Sequence, residues 1–141
     1  MPPHTLRAAS RILVVEDFKP FRVLVSSLLR EKRELYVVYE VSDGLEAVRR
    51  ALDLNPDLIL MDIGLPKLNG LEAARQIREI IPQSKIVFLT QETSAEVVEE
   101  ARNLGASGYI HKSQAANELF PVVTAVLRGE QFESGGWEAL E

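Results

Sequence analysis

Four apolar runs in this chain each end on a residue that can do chemistry. Ile12-Leu13-Val14-Val15 runs into Glu16-Asp17, and Leu58-Ile59-Leu60-Met61 into Asp62. Lys85-Ile86-Val87-Phe88-Leu89 runs into Thr90, and Gly108-Tyr109-Ile110-His111 into Lys112. Leu58 to Met61 is solidly apolar rather than alternating, which reads as a strand buried on both faces. A further β-branched and aromatic run, Leu35 to Val41, makes five strands, the others covering about Arg11–Val15, Lys85–Leu89 and Gly108–Ile110.

Between the strands the period changes to that of a helix. Phe21, Leu24, Val25, Leu28 and Leu29 share one stripe, with Pro20 placed where a first helical turn tolerates it. Leu45, Val48, Ala51 and Leu52 form a second stripe, entered through Ser42-Asp43-Gly44 and broken at Asn55-Pro56. Leu71, Ala74, Ile77 and Ile80 form a third, stopped by Pro82. Val97, Val98, Ala101 and Leu104 form a fourth, with Thr93 or Ser94 as its cap and Gly105 as the residue beyond its end. The last helix runs from about Gln114 to Leu127 and contains Pro121, which should either kink it or delay its start.

Alternating strands and helices imply a parallel sheet covered on both faces. Parallel strands place their C-terminal ends on one rim, where open α/β sheets hold their ligands. Residues 1–10 lack apolar periodicity and read as a loose lead-in, 11–130 as the domain, and 131–141, with Gly135-Gly136 and Trp137, as a flexible tail or linker.

Bulk numbers narrow the class. The chain has 141 residues, 46% hydrophobic and 26% charged, as in an ordinary globular domain. A net charge of −5 argues against a nucleic-acid surface. The absence of cysteine excludes disulfides and thiolate metal sites and fits a reducing cytoplasm. Neither an apolar stretch near the roughly 20 residues of a membrane span nor a secretory h-region is present, so a cytoplasmic location is expected.

The rim then acquires a chemistry. Glu16, Asp17 and Asp62 would offer hard oxygen donors to a divalent cation such as Mg²⁺. Without a cation, three such charges would raise one another's pKa. Asp62, alone at the end of a central strand, is the candidate nucleophile toward a phosphoryl group. Lys112 would supply countercharge, and Thr90 a hydroxyl donor. Taken singly, an acidic pair caps a helix, a lone Asp opens a turn, Thr90 turns or caps, and Lys112 is a solvated charge. Taken together at four strand ends, they complement one another.

These residues resemble those of the receiver domain of two-component response regulators. The likeness rests on Val14-Val15-Glu16-Asp17, Ser42-Asp43-Gly44-Leu45-Glu46-Ala47, Leu60-Met61-Asp62-Ile63-Gly64-Leu65-Pro66 with Asn69-Gly70, Thr90, and Gly105-Ala106-Ser107-Gly108-Tyr109 leading to Lys112. It implies a flavodoxin-like (βα)5 doubly wound parallel sheet of strand order 2-1-3-4-5. Asp62 would accept a phosphoryl group from a sensor histidine kinase. Asp17, Asp62 and the backbone carbonyl of Gly64 would bind Mg²⁺ directly, with Glu16 acting mainly through water. Lys112 would contact the phosphoryl group, Thr90 would report its arrival, and Tyr109 would be the aromatic switch. The output implied is a change in the surface of the fourth helix, fifth strand and fifth helix that controls homodimerisation or a transcriptional output domain. The domain would then be a phosphoacceptor assisting only its own phosphorylation and dephosphorylation, not an enzyme acting on an external substrate.

Departures from the family pattern matter. Glu16 stands where Asp is commoner, and Gln91 follows Thr90 where a small residue is usual. Ser113 replaces the usual proline after Lys112; with Leu127-Arg128-Gly129-Glu130 it resembles receivers attached to LuxR-type helix-turn-helix output domains. DNA would be met only through such a domain. The residues between that last helix and Glu141 are too few for one, so an excised or stand-alone receiver is expected. Two alternatives stay open: a phosphorylation-independent docking module in which Gln91 obstructs the site, and a metal-dependent phosphoryl-transfer enzyme. The second is weakened by Gly64 where an Asp-x-Asp pair would carry an acid.

Overall fold

The computed structural model describes residues 9–91 and 94–131. The lead-in before Ala9, the Thr93 alternative for a helix cap, and the tail with Gly135-Gly136 and Trp137 lie outside the described residues. The elements alternate: β1 (Ser10–Val15), α1 (Lys19–Arg30), β2 (Leu35–Val41), α2 (Gly44–Leu54), β3 (Leu58–Asp62), α3 (Gly70–Ile80), β4 (Lys85–Thr90), α4 (Ala95–Asn103), β5 (Gly108–His111) and α5 (Ala115–Leu127). A single 3-10 turn, Lys112–Gln114, joins the last two.

All neighbouring strands pair in parallel, in the order β2-β1-β3-β4-β5. This is the flavodoxin-like (βα)5 order. The chain steps outward from β1 to β2, then returns to β3 on the other side of β1. The C-terminal ends of β1 and β3 therefore flank the crevice at which such sheets hold ligands.

Strand alternation divides the interior into two cores. Val14, Leu60, Val87 and Ile110 face Val25 and Leu29 of α1 and Leu119, Val122 and Val126 of α5. Leu13, Ile59, Phe88 and Tyr109 face the second layer, built from Ala47, Ala51, Ala73, Ala74, Ile77, Val98 and Ala101 of α2, α3 and α4. Alanines dominate this second layer, so its helices can lie close on the sheet.

That packing corrects the expected helical stripes. Leu24, Leu45, Leu52 and Ile80 repeat at helical spacing yet are exposed, whereas Ala51 and Ala74 of the same stripes are fully buried together with Ala47 and Ala73, which the stripes left out. β1 starts one residue earlier than its pattern, while β3, β4 and β5 each end one residue later, so Asp62, Thr90 and His111 still belong to their strands. α5 runs unbroken through Pro121, which excludes a delayed start. Asn117, whose carbonyl loses its partner there, is exposed to water.

The helix ends are specified locally. Asp43 Oδ1 accepts the Glu46 N–H at 2.8 Å, Asn69 Oδ1 the Glu72 N–H at 2.9 Å, and Ser94 Oγ the Val97 N–H at 3.1 Å. α4 closes with Ala106 N–H to Ala101 O and Gly105 N–H to Arg102 O, a Schellman motif centred on Gly105 at φ +101°.

Candidate functional site

The rim of the sheet carries an open cleft of about 620 Å³, lined by Glu16, Asp17, Asp62, Gly64, Thr90 and Lys112. Every expected site residue except Tyr109 meets there. Tyr109 lies one layer below, 1% exposed, packed into the core under α4. Its register partner is Phe88, and the next in-facing pair up the same strands is Thr90 with His111. Thr90 is 3% exposed at the end of β4.

Each acid has its own setting. Glu16 continues the β1–β2 ladder past the strand end, with its N–H on Val41 O at 3.0 Å. Its side chain is 1% exposed, and Oε2 accepts the Phe18 N–H at 3.0 Å. Asp17, one residue on, is exposed. Asp62 is 6% exposed, and its Oδ1 lies 3.4 Å from the Gly64 N–H that donates to it. One carboxylate oxygen from each of Glu16, Asp17 and Asp62 lies within 4.8 Å of the others.

Lys112 reaches across this cluster from the 3-10 turn after β5. Its Nζ stands 2.9 Å from Glu16 Oε1 and donates to Asp62 Oδ2 at 3.3 Å. The Glu16 contact is a close ion pair. The ammonium also lies 5.1 Å from the centre of the Phe21 ring, whose π face favours a cation.

Burial pushes the Glu16 carboxyl above its usual pKa, and the Asp62 charge adds to this; Lys112 and the Phe18 N–H pull the other way without cancelling it. Lys112 loses hydration too, but Glu16 and Asp62 together outweigh that and hold its pKa above the usual value. Three acids against one ammonium leave the cluster short of positive charge. Three hard oxygen donors converging from two strand ends fit Mg²⁺.

The loop after β3 brings Asp62 into this position. Gly70 N–H donates to Ile63 O at 2.7 Å, and a Cβ on Gly70 would stand 2.1 Å from Asp62 O. Gly44 N–H donates to Pro66 O, and a Cβ there would stand 1.8 Å from Leu68 O. Leu68 N–H turns back to Pro66 O at 2.7 Å around Lys67, whose φ is +69°. Lys67 Nζ lies 3.6 Å from Asp43 Oδ2, tying this loop to the cap of α2.

Four side chains at or beside the cleft had no assigned role in the sequence reading. Phe18, Phe21 and His111 line it, His111 Nδ1 lying 2.8 Å from Ser113 Oγ. Arg22 sits behind it, with Nη1 donating to Glu16 O at 2.7 Å. Phe21 was legible only as a core position, and Arg22 gives no signal because its partner is a backbone carbonyl. Gln91 lines the rim and is exposed.

A family model described as the response regulator receiver domain matches residues 12–124. The response regulator protein VraR of Staphylococcus aureus (strain Mu3 / ATCC 700698) is 36% identical over 120 residues, covering 85% of this chain and 57% of the relative. The chain thus spans little more than half the length of the curated relatives it matches. A LuxR-family two-component response regulator from Aurantimonas sp. SI85-9A1 superposes with a TM-score of 0.88 at 31% identity, over 94% of each chain. The response regulator domain of Thermotoga maritima CheB superposes with a TM-score of 0.79, also at 31% identity, over 86% of this chain and 98% of that one.

Proposed function

The chain belongs to the response regulator receiver domain family, and from that premise we propose that it is a phosphoryl-accepting switch whose acceptor is Asp62. One observation carries this reading. The Asp62 carboxylate ends a central strand with the Lys112 ammonium 3.3 Å away and the Glu16 and Asp17 carboxylates beside it.

The donor is a phosphohistidine on a sensor histidine kinase. Asp62 Oδ1, the oxygen not held by Lys112, attacks phosphorus; a P–O bond forms and the P–N bond breaks. The imidazole nitrogen keeps the electron pair and takes a proton from solvent. Asp17, Asp62 and the Gly64 carbonyl would hold Mg²⁺ directly and Glu16 would do so through water, the ion supplying neutralisation of the phosphoryl charge. Lys112 sits where it can follow that charge from the carboxylate to the phosphoryl oxygens. The Thr90 hydroxyl donates to a phosphoryl oxygen, and the Tyr109 ring below it passes the change toward α4, β5 and α5.

The readout is homodimerisation or control of a transcriptional output domain in a longer protein. DNA is met only through that domain, and the setting is the cytoplasm. The kinship with LuxR-family response regulators supports this output. Gln91 at the rim supports a second reading, a docking module that works without phosphate. Incubation with a small acyl phosphate and Mg²⁺, followed by intact mass, separates them. The switch predicts a phosphate adduct on wild type and none on Asp62→Asn; an equal adduct on both removes Asp62 as acceptor. No adduct on either, with one appearing on Gln91→Ala, favours the second reading.

A further inference from the structure

Asp17 is the least supported of the three acids. Glu16 is held through its N–H by Val41 O and through its carboxylate by the Phe18 N–H and Lys112. The Asp17 carboxylate is exposed, and none of the described residues hydrogen-bonds it. The backbone alone therefore fixes the Cα and Cβ from which that carboxylate reaches.

Among the described residues, that backbone has one side-chain anchor. The carbonyl of Glu16 and the N–H of Asp17 belong to a single planar peptide unit. Arg22 Nη1 donates to that carbonyl at 2.7 Å. The Arg22 guanidinium is itself steadied at its other edge, with Nε 3.5 Å from Glu40 Oε1 on β2. Glu40 Oε2 in turn lies 3.2 Å from Arg30 Nη2, so two arginines of α1 hold the same β2 carboxylate. Arg22 is mostly buried, 19% exposed at the side chain, so this contact is less open to water than an ordinary surface pair.

We propose that Arg22, braced by Glu40, is a positioning residue for the cation site: it fixes the Glu16–Asp17 peptide plane and thereby aims the Asp17 carboxylate at the metal. Its planar fork suits it to bond a carbonyl with one nitrogen and a carboxylate with another, which a lysine ammonium would not do with the same geometry. The proposal rests on the reading of Glu16, Asp17 and Asp62 as a Mg²⁺ site. It adds a link between that site and the β2 edge of the sheet, the edge opposite β5.

The test is Mg²⁺ titration alone, followed calorimetrically and by the backbone amide resonances of residues 16–18, on wild type, Arg22→Gln and Glu40→Gln. Arg22→Gln is expected to weaken Mg²⁺ binding about tenfold, the usual cost of losing a group that orients a ligand. Its phosphorylation rate should recover when Mg²⁺ is raised to saturation, and Glu40→Gln should show a smaller loss of affinity. A purely structural staple would instead lower the metal-free melting temperature and leave the Mg²⁺ Kd at the wild-type value, and that result overturns the proposal. Where Arg22→Gln does not fold, Glu40→Gln decides: an unchanged Kd there overturns it as well. Absence of Mg²⁺ binding by wild type is a different failure, because it removes the metal-site reading itself.

Discussion

A single ammonium holds the residues of this site in balance. Lys112 stands against Glu16 and Asp62 while Asp17 faces water, so a bound cation would compete with Lys112 for the same negative charge. Lys112→Gln should therefore bind Mg²⁺ more tightly than wild type while accepting phosphate roughly 10²-fold more slowly, since the countercharge for the transferring group is gone. Calorimetry and phosphorylation kinetics on the same sample check both signs. Glu16 gives a second prediction. Its carboxyl is raised above 4.5 by burial, so its favourable contribution is complete below that value and is lost as pH rises through the raised folded pKa. Metal-free wild type should lose stability relative to Glu16→Gln as pH climbs through that window, and saturating Mg²⁺ should reverse the trend by favouring the ionised form. Urea unfolding at a series of pH values, with and without Mg²⁺, reads this directly.

Among the elements, the loop from β3 to α3 carries the tightest constraint. A methyl at Gly70 would meet the carbonyl of Asp62, the proposed phosphoryl acceptor. Gly70→Ala should cost about 1–3 kcal/mol, as overpacking does, and should slow phosphorylation by displacing Asp62. Gly64→Ala, with nothing within 4 Å of its added Cβ, should change stability little. Denaturant midpoints of the two variants make the comparison. The strands were legible because Ile12–Val15, Leu58–Met61 and Ile86–Leu89 are continuous apolar runs that a helix period does not explain. The helix faces were less legible. Leu45, Leu52 and Ile80 keep helical spacing and look like core but are exposed; Ala51 and Ala74 of the same stripes are buried as expected, and the stripes left out Ala47 and Ala73, whose small side chains give a weak hydrophobic signal. The carboxylates, Thr90 and Lys112 could be read from strand ends alone. Phe21 beneath Lys112 and Arg22 behind Glu16 could not, because those contacts appear only when α1 folds back against the rim.

At the scale of the whole molecule, two cores share one sheet, and the rim joins them. Thr90 and Tyr109 belong to the α4 side, so under the proposed function a phosphoryl group that drew Thr90 toward Asp62 would act first on β4, α4 and β5. A modification shifts such an equilibrium only through its different contacts with the two states. Beryllofluoride with Mg²⁺ should accordingly change amide hydrogen exchange in α4 and β5 more than in α2; an equal response everywhere, or none, would contradict that polarity. The central claim, that Asp62 carries the phosphoryl group, is tested most directly by chemical trapping. Wild type is phosphorylated with a small acyl phosphate and Mg²⁺, reduced with borohydride so that an aspartyl phosphate becomes homoserine, and mapped by peptide mass. The account predicts homoserine at position 62, dependent on Mg²⁺ and absent without the phosphodonor. Conversion at position 17, phosphate retained on His111, or an unmodified Asp62 in a protein that gained phosphate mass would contradict it.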